Sequence, residues 1–188
     1  MTPVWPAGAF AVGLLLVIVA YMTFSTYNAV VALRQRFDKA WSNIDVVLKQ
    51  RHDQLPALVS AVRGVMAYEQ NVLTEVTRAR AAYSPREPLP VQAATSEATS
   101  AAVRSLFAVV ERYPDLQSQE NVLELQAEIE RLESMIADRR ELYNDQVFHY
   151  NMRIATYPTL ALTWLFDWTP KPFFAARPEE TARPDSAL

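Results

Sequence analysis

The chain has 188 residues, with 18 Lys or Arg, 21 Asp or Glu, 12 Pro, three Gly, no Cys and a formal net charge of −3. The absence of Cys excludes disulfides, thiol nucleophiles and Cys-ligated metal sites, and three Gly leave no Gly-rich phosphate loop. The two His, His52 and His149, are too far apart in sequence to form a helical metal pair, and the negative charge does not favour nucleic acid. We therefore predict no enzyme, no cofactor, no metal site and no nucleic-acid partner.

An uncharged N-terminal segment precedes the first charged residue, Arg34. Residues 7–26 supply about the 20 apolar residues that a helix needs to cross the hydrocarbon layer of a membrane. Trp5 and Tyr27 flank this run, as interfacial aromatic residues do. A cleaved signal peptide would need basic residues before the run, and residues 1–6 contain none. The pattern favours a transmembrane helix at 7–26 over a signal peptide.

The basic residues near this segment all follow it, since Arg34, Arg36 and Lys39 come next and no Lys or Arg precedes it. Positive charge is enriched on the cytoplasmic side of membrane proteins. We therefore predict a single-pass protein with residues 1–6 outside the cytoplasm and residues 27–188 inside it. No Pro or Gly separates the span from residues 28–33, so we expect one continuous helix from lipid into water.

The rest of the chain is divided by proline into segments that are rich in helix formers and show no strand-like alternation. In the first segment, apolar residues recur about every 3.5 positions from Val30 to Tyr83, with Arg51 and Glu69 in the same stripe. Pro56 lies inside this stripe. The unbroken phase favours a kinked helix, whereas Asp53 could cap a new helix after a turn.

Two further helices are predicted, at about 90–112 and about 118–156. A short apolar segment follows at 159–168, and residues 175–188 are predicted to be disordered. The aromatic-rich stretch 157–174 is predicted to cap the helical core, with contact to a membrane or partner as the alternative. The predicted inward residues of the first of these helices are Val91, Ala94, Ala98, Ala101, Leu106 and Val109, and those of the second run from Val122 to Ile154.

Three stretches resemble the LemA family of bacterial membrane proteins: AWSNIDVVLKQRHDQLPALVSAVRGVMAYE, LFAVVERYPDLQSQENVLELQAEIE and RRELYNDQVFHYN. The resemblance covers essentially residues 27–174. It implies a transmembrane helix followed by an antiparallel up-and-down bundle of about four helices at 27–174, in the bacterial inner membrane. It also implies a turn rather than a kink near Pro56, which we adopt as the expectation. It carries over no catalytic residues.

Eight polar residues are candidate structural or partner-binding positions. Asp45, Lys49 and Asp53 lie four apart on one helical face, as in a surface ion-pair ladder, with a buried network or partner-binding face as the alternative. Arg51 would be exposed if the turn falls there. The full set is Asp45, Lys49, Arg51, Asp53, Glu69, Arg140, Asn144 and Asn151.

The later members of this set are expected to tie helices together. Glu69 lies on the apolar stripe and is predicted to pair with Arg140 or Arg139 of the last long helix. Arg140, Asn144 and Asn151 share a face of that helix and are predicted to hydrogen-bond across helices, with a ligand cleft as the alternative.

These patterns predict a membrane-anchored helical scaffold or interaction protein. Its expected partners are the lipid bilayer, proteins that the sequence does not identify and further copies of itself. The alternative is an accessory or sensor subunit of a membrane protease or signalling complex. A hydrolase using Glu69, Asp45 and Asp53 is the third hypothesis, although no sequence feature positions a substrate.

Overall fold

The computed structural model describes residues 5–66 and 68–174, and within these residues it contains six α-helices and no β-strand. The all-α class is therefore confirmed for this part of the chain. The predicted tail at 175–188 and most of the predicted segment 1–6 lie outside the described residues, as does the side chain of Trp5. The helices are α1 (Trp5–Arg63), α2 (Gln70–Ala81), α3 (Leu89–Val110), α4 (Pro114–Gln117), α5 (Glu120–Ala155) and α6 (Leu160–Phe166).

The described residues divide into two compact units. The first unit contains residues 5–38 and 145–171, and the second contains residues 39–66, 68–144 and 172–174. α1 contributes to both units, and so does α5.

α1 is one uninterrupted helix of 59 residues, which confirms the expected continuity between the apolar segment and the first soluble helix. Its large apolar side chains from Phe10 to Phe24 are 46–74% exposed. By length and composition, α1 is able to cross a membrane. Beyond this segment the exposure changes, since Val30 and Phe37 are buried in the first unit and Ile44 in the second. One helix therefore combines an apolar part with exposed large side chains and a part that contributes to protein cores.

The expected turn near Pro56 is wrong, because α1 continues through Pro56 to Arg63. The period of the apolar residues was the better guide, since an unbroken phase favours a continuous helix. Pro56 is exposed on its helix. The break comes later, since α1 ends at Arg63 and α2 begins at Gln70.

The second unit has a core to which five helices contribute. α1 supplies Leu55, Leu58 and Val62, and α2 supplies Leu73 and Val76. Val59 of α1 and Met66, which follows α1, also belong to the core. The members from α3, α4 and α5 are Ala102, Val103, Leu106, Val109, Val110, Leu116, Val122 and Ile129.

The predicted inward face of α3 is wrong in its first half. Val91, Ala94, Ala98 and Ala101 are exposed, whereas Leu106 and Val109 are buried as expected. Polar residues occupy the buried face instead. They are Gln92, Ser96, Thr99 and Ser100.

The first unit joins the described residues of α1 up to Asp38 to the end of α5 and to α6. Phe37 and Tyr150 pack edge to face, with ring centroids 5.1 Å apart. α6 itself contains no buried residue. It ends at Phe166 and is capped by Asp167, whose φ of 51° is left-handed. The predicted cap at 157–174 therefore fits Phe174, which is buried in the second unit, but does not fit α6.

Candidate functional site

A buried arginine is the best-connected polar side chain of the second unit. Arg51, on α1, is 3% exposed. Its Nη1 donates to Ser100 Oγ at 2.7 Å and to Glu133 Oε1 at 2.6 Å. Its Nη2 donates to Ser96 Oγ at 3.0 Å and to the Ser96 carbonyl at 3.2 Å. Ser100 Oγ donates in turn to Glu133 Oε2 at 2.6 Å. We call Arg51, Ser96, Ser100 and Glu133 the arginine network.

The arginine network ties together α1, α3 and α5. The expectation that Arg51 is exposed at a turn is wrong, because the helix continues there and buries it. Its charge is matched by Glu133, whose side chain is 26% exposed, as a buried guanidinium requires. A cavity of about 10 Å³ beside Arg51 has room for one water at most. The network is therefore an internal tie rather than a ligand site.

The sequence patterns did not predict Ser96, Ser100 and Glu133 as members of a site. A signal for two of them exists: Ser96 and Ser100 are four apart on α3 and share the buried face with Leu106. A stripe of hydroxyl residues indicates that the facing element carries a polar group. Nothing in the sequence indicates that this group is Arg51, because the partners are 45 to 82 positions apart.

Asp45 belongs to a second polar contact of this unit. The Tyr83 hydroxyl donates to Asp45 Oδ1 at 3.2 Å, and the Tyr83 ring lies 5.0 Å from that of His52. Burial, followed by the charge of Asp45, raises the pKa of Tyr83 to about 12. The ladder predicted among Asp45, Lys49 and Asp53 is not formed. Within the described residues no ion pair joins the three, and Lys49 and Asp53 are exposed.

The predicted pairing of Glu69 with Arg139 or Arg140 is wrong. Glu69 Oε1 accepts a hydrogen bond from the Tyr113 hydroxyl at 3.4 Å. Arg139 donates to the Asn43 carbonyl at 2.6 Å, and Arg140 lies 3.5 Å from Glu97. Helical phase indicates which residues face inward, but it does not indicate their height along the neighbouring helix.

The two predicted asparagines make the same double hydrogen bond, one in each unit. In the second unit, Asn144 Nδ2 donates to the Phe174 carbonyl at 3.1 Å, and the Phe174 N–H donates to Asn144 Oδ1 at 2.8 Å. In the first unit, Asn151 Nδ2 donates to the Lys171 carbonyl at 2.9 Å, and the Lys171 N–H donates to Asn151 Oδ1 at 2.8 Å. We call each pair a backbone clamp.

A tyrosine precedes each of these asparagines and adds a third hydrogen bond. The Tyr143 hydroxyl donates to the Pro172 carbonyl at 3.2 Å, and the Tyr150 hydroxyl donates to the Thr169 carbonyl at 3.3 Å. The two asparagines therefore hydrogen-bond to non-helical backbone, and the prediction that they bond across helices is wrong.

An aromatic cluster of three residues lies in the first unit. The ring of Tyr27, on α1, lies 5.1 Å from that of Phe166 and 6.1 Å from that of Trp168. Phe166 and Trp168 stack at 4.9 Å. The cluster attaches the end of α6 to the part of α1 that follows its exposed apolar segment.

The second unit also has an open groove of about 630 Å³ along α2. Its charged lining residues are Arg63 and Arg78. Among the described residues, no group of three or more His, Asp or Glu has the arrangement of a metal site.

Comparison with known proteins gives one family and two relatives. The LemA family matches residues 40–186. The magnetosome proteins MamQ 1 and MamQ 2 of Paramagnetospirillum magneticum (strain ATCC 700264 / AMB-1) are each 32% identical over 77 residues. This match covers 41% of the chain and 28% of each relative, so the chain matches less than a third of the length of these curated proteins.

Proposed function

Because the chain belongs to the LemA family, we propose that it is a membrane-anchored helical scaffold that organises partners at a bacterial inner membrane. The observation that carries this proposal is α1, whose apolar side chains are exposed from Phe10 to Phe24 and enter protein cores from Val30 onward. Water is a costly environment for so much apolar surface, at roughly 25 cal/mol per Å². Lipid would cover it, since the segment has about the length of one bilayer crossing.

In this proposal the remaining helices form an antiparallel up-and-down bundle in the cytoplasm. The core shared by α1, α2, α3 and α5 supports that arrangement, as do the arginine network and the backbone clamps, because they are internal ties. The hydrogen bonds and the ion pair of these polar residues hold the fold together. This favours an interaction protein over an enzyme.

In this proposal, copies of the chain associate with one another and thereby organise their partners at the membrane. The second unit exposes Val46, Leu123 and Leu142 by about half each, so these are sites at which contact between copies can be probed. The matched relatives are named as magnetosome proteins. That name supports a place at a membrane assembly for this chain as well.

Membrane anchoring is tested by alkaline extraction of membranes from cells that express the full chain. We expect the chain to stay in the pellet. The variant Leu16→Arg with Val17→Arg should be released, because each Arg costs roughly 3 kcal/mol at the centre of a span. Leu123→Arg places one added Arg on an exposed site of α5, outside the apolar segment, and is the control that should stay in the membrane.

Scaffolding is tested by the molar mass of the full chain in mild detergent, measured by light scattering, together with crosslinking in cells. Because the chain has no Cys, single cysteines at Val46 or Leu142 give site-specific crosslinks. We expect several copies and crosslinks between them. A single copy crosslinked to a different membrane protein would support an accessory subunit instead, and a single copy without any crosslink would refute scaffolding.

A further inference from the structure

The first unit exposes apolar side chains in and beside α6. Trp164 is 81% exposed and Leu165 is 57% exposed, and Tyr157 and Leu160 are also exposed. From residue 157 to residue 169 the single charged residue is Asp167. An aromatic patch with so little charge marks a surface that another apolar phase covers.

The location of this patch identifies what covers it. The aromatic cluster joins Phe166 and Trp168 to Tyr27 at 5.1 and 6.1 Å. Tyr27 comes three residues after Phe24, the last large side chain of the exposed apolar part of α1. The exposed face of α6 therefore begins where the exposed apolar surface of α1 ends, and lipid that covers α1 would reach α6.

The residue types fit the boundary between headgroups and acyl chains. Trp and Tyr are enriched at this level of a membrane, because each has an apolar ring and one polar group. Helices that lie in this layer place Trp, Phe and Leu on the face buried at the boundary of headgroups and acyl chains. A second copy of the chain or another protein would not need the patch to lie at the end of the apolar segment.

We propose that α6 lies in the interfacial layer of the membrane that α1 crosses, with Trp164 and Leu165 inserted among the lipids. This inference depends on the proposed membrane anchor. α6 is also tied to α5, since Thr163 Oγ1 donates to the Ile154 carbonyl at 3.1 Å and Asn151 clamps Lys171. Lipid contact at α6 therefore fixes the end of α5 at the membrane surface and limits the rotation of α1.

The test uses the full chain, reconstituted in phosphatidylcholine bilayers, with single cysteines carrying a small fluorophore. Lipids with a nitroxide at the headgroup end or deep in the acyl chain serve as quenchers. The cysteines are Leu165→Cys for the patch, Leu16→Cys for the span and Phe148→Cys as the control. Phe148 is 50% exposed in the same unit, on the stretch of α5 whose Tyr150 contacts Phe37. Along α1, Phe37 lies about 15 Å beyond Tyr27, so the Phe148→Cys label serves as the control farther from the apolar segment.

We expect the shallow quencher to act on the Leu165→Cys label about twofold more strongly than on the Phe148→Cys label, and the deep quencher to act mainly on Leu16→Cys. Deep quenching at Leu16→Cys with equal weak quenching at the other two sites would overturn the placement of α6 and leave the anchor intact. Deep quenching of Leu165→Cys would overturn the interfacial placement as well. Absence of deep quenching at Leu16→Cys would refute the anchor and this inference together.

Discussion

Arg51 keeps its charge inside the second unit because its two terminal nitrogens face hydrogen-bond acceptors. Two hydroxyls, one carbonyl and one carboxylate surround the guanidinium at 2.6 to 3.2 Å. The two ionic members differ in their access to water, since Arg51 is 3% exposed and Glu133 is 26% exposed at the side chain. That difference makes the network asymmetric towards mutation.

Glu133→Ala should therefore destabilise the protein more than Arg51→Met. Removing the carboxylate leaves a buried positive charge, at a cost of about 3 kcal/mol. Removing the guanidinium leaves Glu133 able to hydrate and costs about 1 kcal/mol. Denaturation of the full chain in detergent, followed by circular dichroism, measures both. Glu97→Ala, at an exposed ion pair, is the control. Equal losses for the two network variants would contradict the asymmetry.

Tyr83 predicts a loss of stability in alkaline solution. Its folded pKa of about 12, raised by burial and by Asp45, lies above the unfolded value of about 10. The folded protein therefore holds the phenolic proton more tightly than the unfolded chain. This contribution is fully present below about pH 10, and it is lost as the pH rises through about 12.

The measurement compares the pH dependence of the unfolding midpoint for wild type and Tyr83→Phe. The variant should lose less stability than wild type over this range, because Phe has no proton to release. Tyr68→Phe is the matched control, since Tyr68 is 97% exposed. If Tyr83→Phe keeps the wild-type alkaline slope, the titration of Tyr83 does not contribute to the loss of stability.

At this scale, the sequence predicts which residues are unusual better than it predicts their partners. Arg51 and Glu69 stand out because they interrupt an apolar stripe. Their partners, Glu133 on α5 and Tyr113 between α3 and α4, lie 82 and 44 positions away in the sequence. Pairing at that distance depends on the axial offset of neighbouring helices, which hydrophobic periodicity does not contain.

α1 tolerates Pro56 because another helix contacts the carbonyl that Pro56 leaves free. In a regular helix, the N–H of residue 56 would bond the carbonyl of His52, and proline has no N–H. Arg80 Nε, on α2, lies 3.4 Å from that carbonyl and donates to it. The carbonyl that Pro56 leaves free is thus bonded by a second helix, as a helix that continues through proline needs.

Pro56→Ala should stabilise α1 and weaken the contribution of Arg80. The new N–H bonds the His52 carbonyl, so Arg80→Met should cost about 1 kcal/mol less in the Pro56→Ala background than in wild type. A double-mutant cycle on the full chain, by urea denaturation, gives this coupling directly. Additive effects of the two substitutions would show that the 3.4 Å contact contributes no stability.

The backbone clamps explain how the chain after α6 is held without secondary structure. Each asparagine satisfies one N–H and one carbonyl of the same residue, as a neighbouring strand would. Sequence periodicity placed Asn144 and Asn151 on one face of a long helix. It did not indicate that they bind a segment 20 to 30 positions later, because that segment has no periodic pattern of its own.

Asn151→Ala should release Lys171 while leaving the second unit folded. The substitution removes two hydrogen bonds, which contribute about 1 kcal/mol each. The amide of Lys171 should therefore exchange its hydrogen at least about tenfold faster than in wild type. Hydrogen exchange read by mass spectrometry on the full chain measures this. Asn71→Ala, at an exposed site of α2, is the control. Unchanged exchange at Lys171 would show that the clamp does not hold the segment.

On the scale of the whole molecule, the distribution of charge separates the chain into an apolar beginning and a solvated remainder, although no break in α1 accompanies it. All basic residues lie after the apolar segment, from Arg34 onward. Composition alone could predict the apolar segment and its continuity with the following helix. It could not predict the two units, because they depend on which parts of α5 and α6 return to which parts of α1.

The same charge distribution predicts the orientation of the chain in a membrane. With Arg34, Arg36 and Lys39 retained on the cytoplasmic side, a single cysteine at Tyr68 should be protected from an impermeant thiol reagent in intact cells. Permeabilised cells should show full labelling, because Tyr68 is 97% exposed and the chain has no other cysteine. Replacing the three basic residues by Gln removes the bias and should give a mixed population. Labelling of the Tyr68→Cys chain in intact cells would show that the orientation is the opposite of the predicted one. In that case α6 would lie on the outer surface of the membrane.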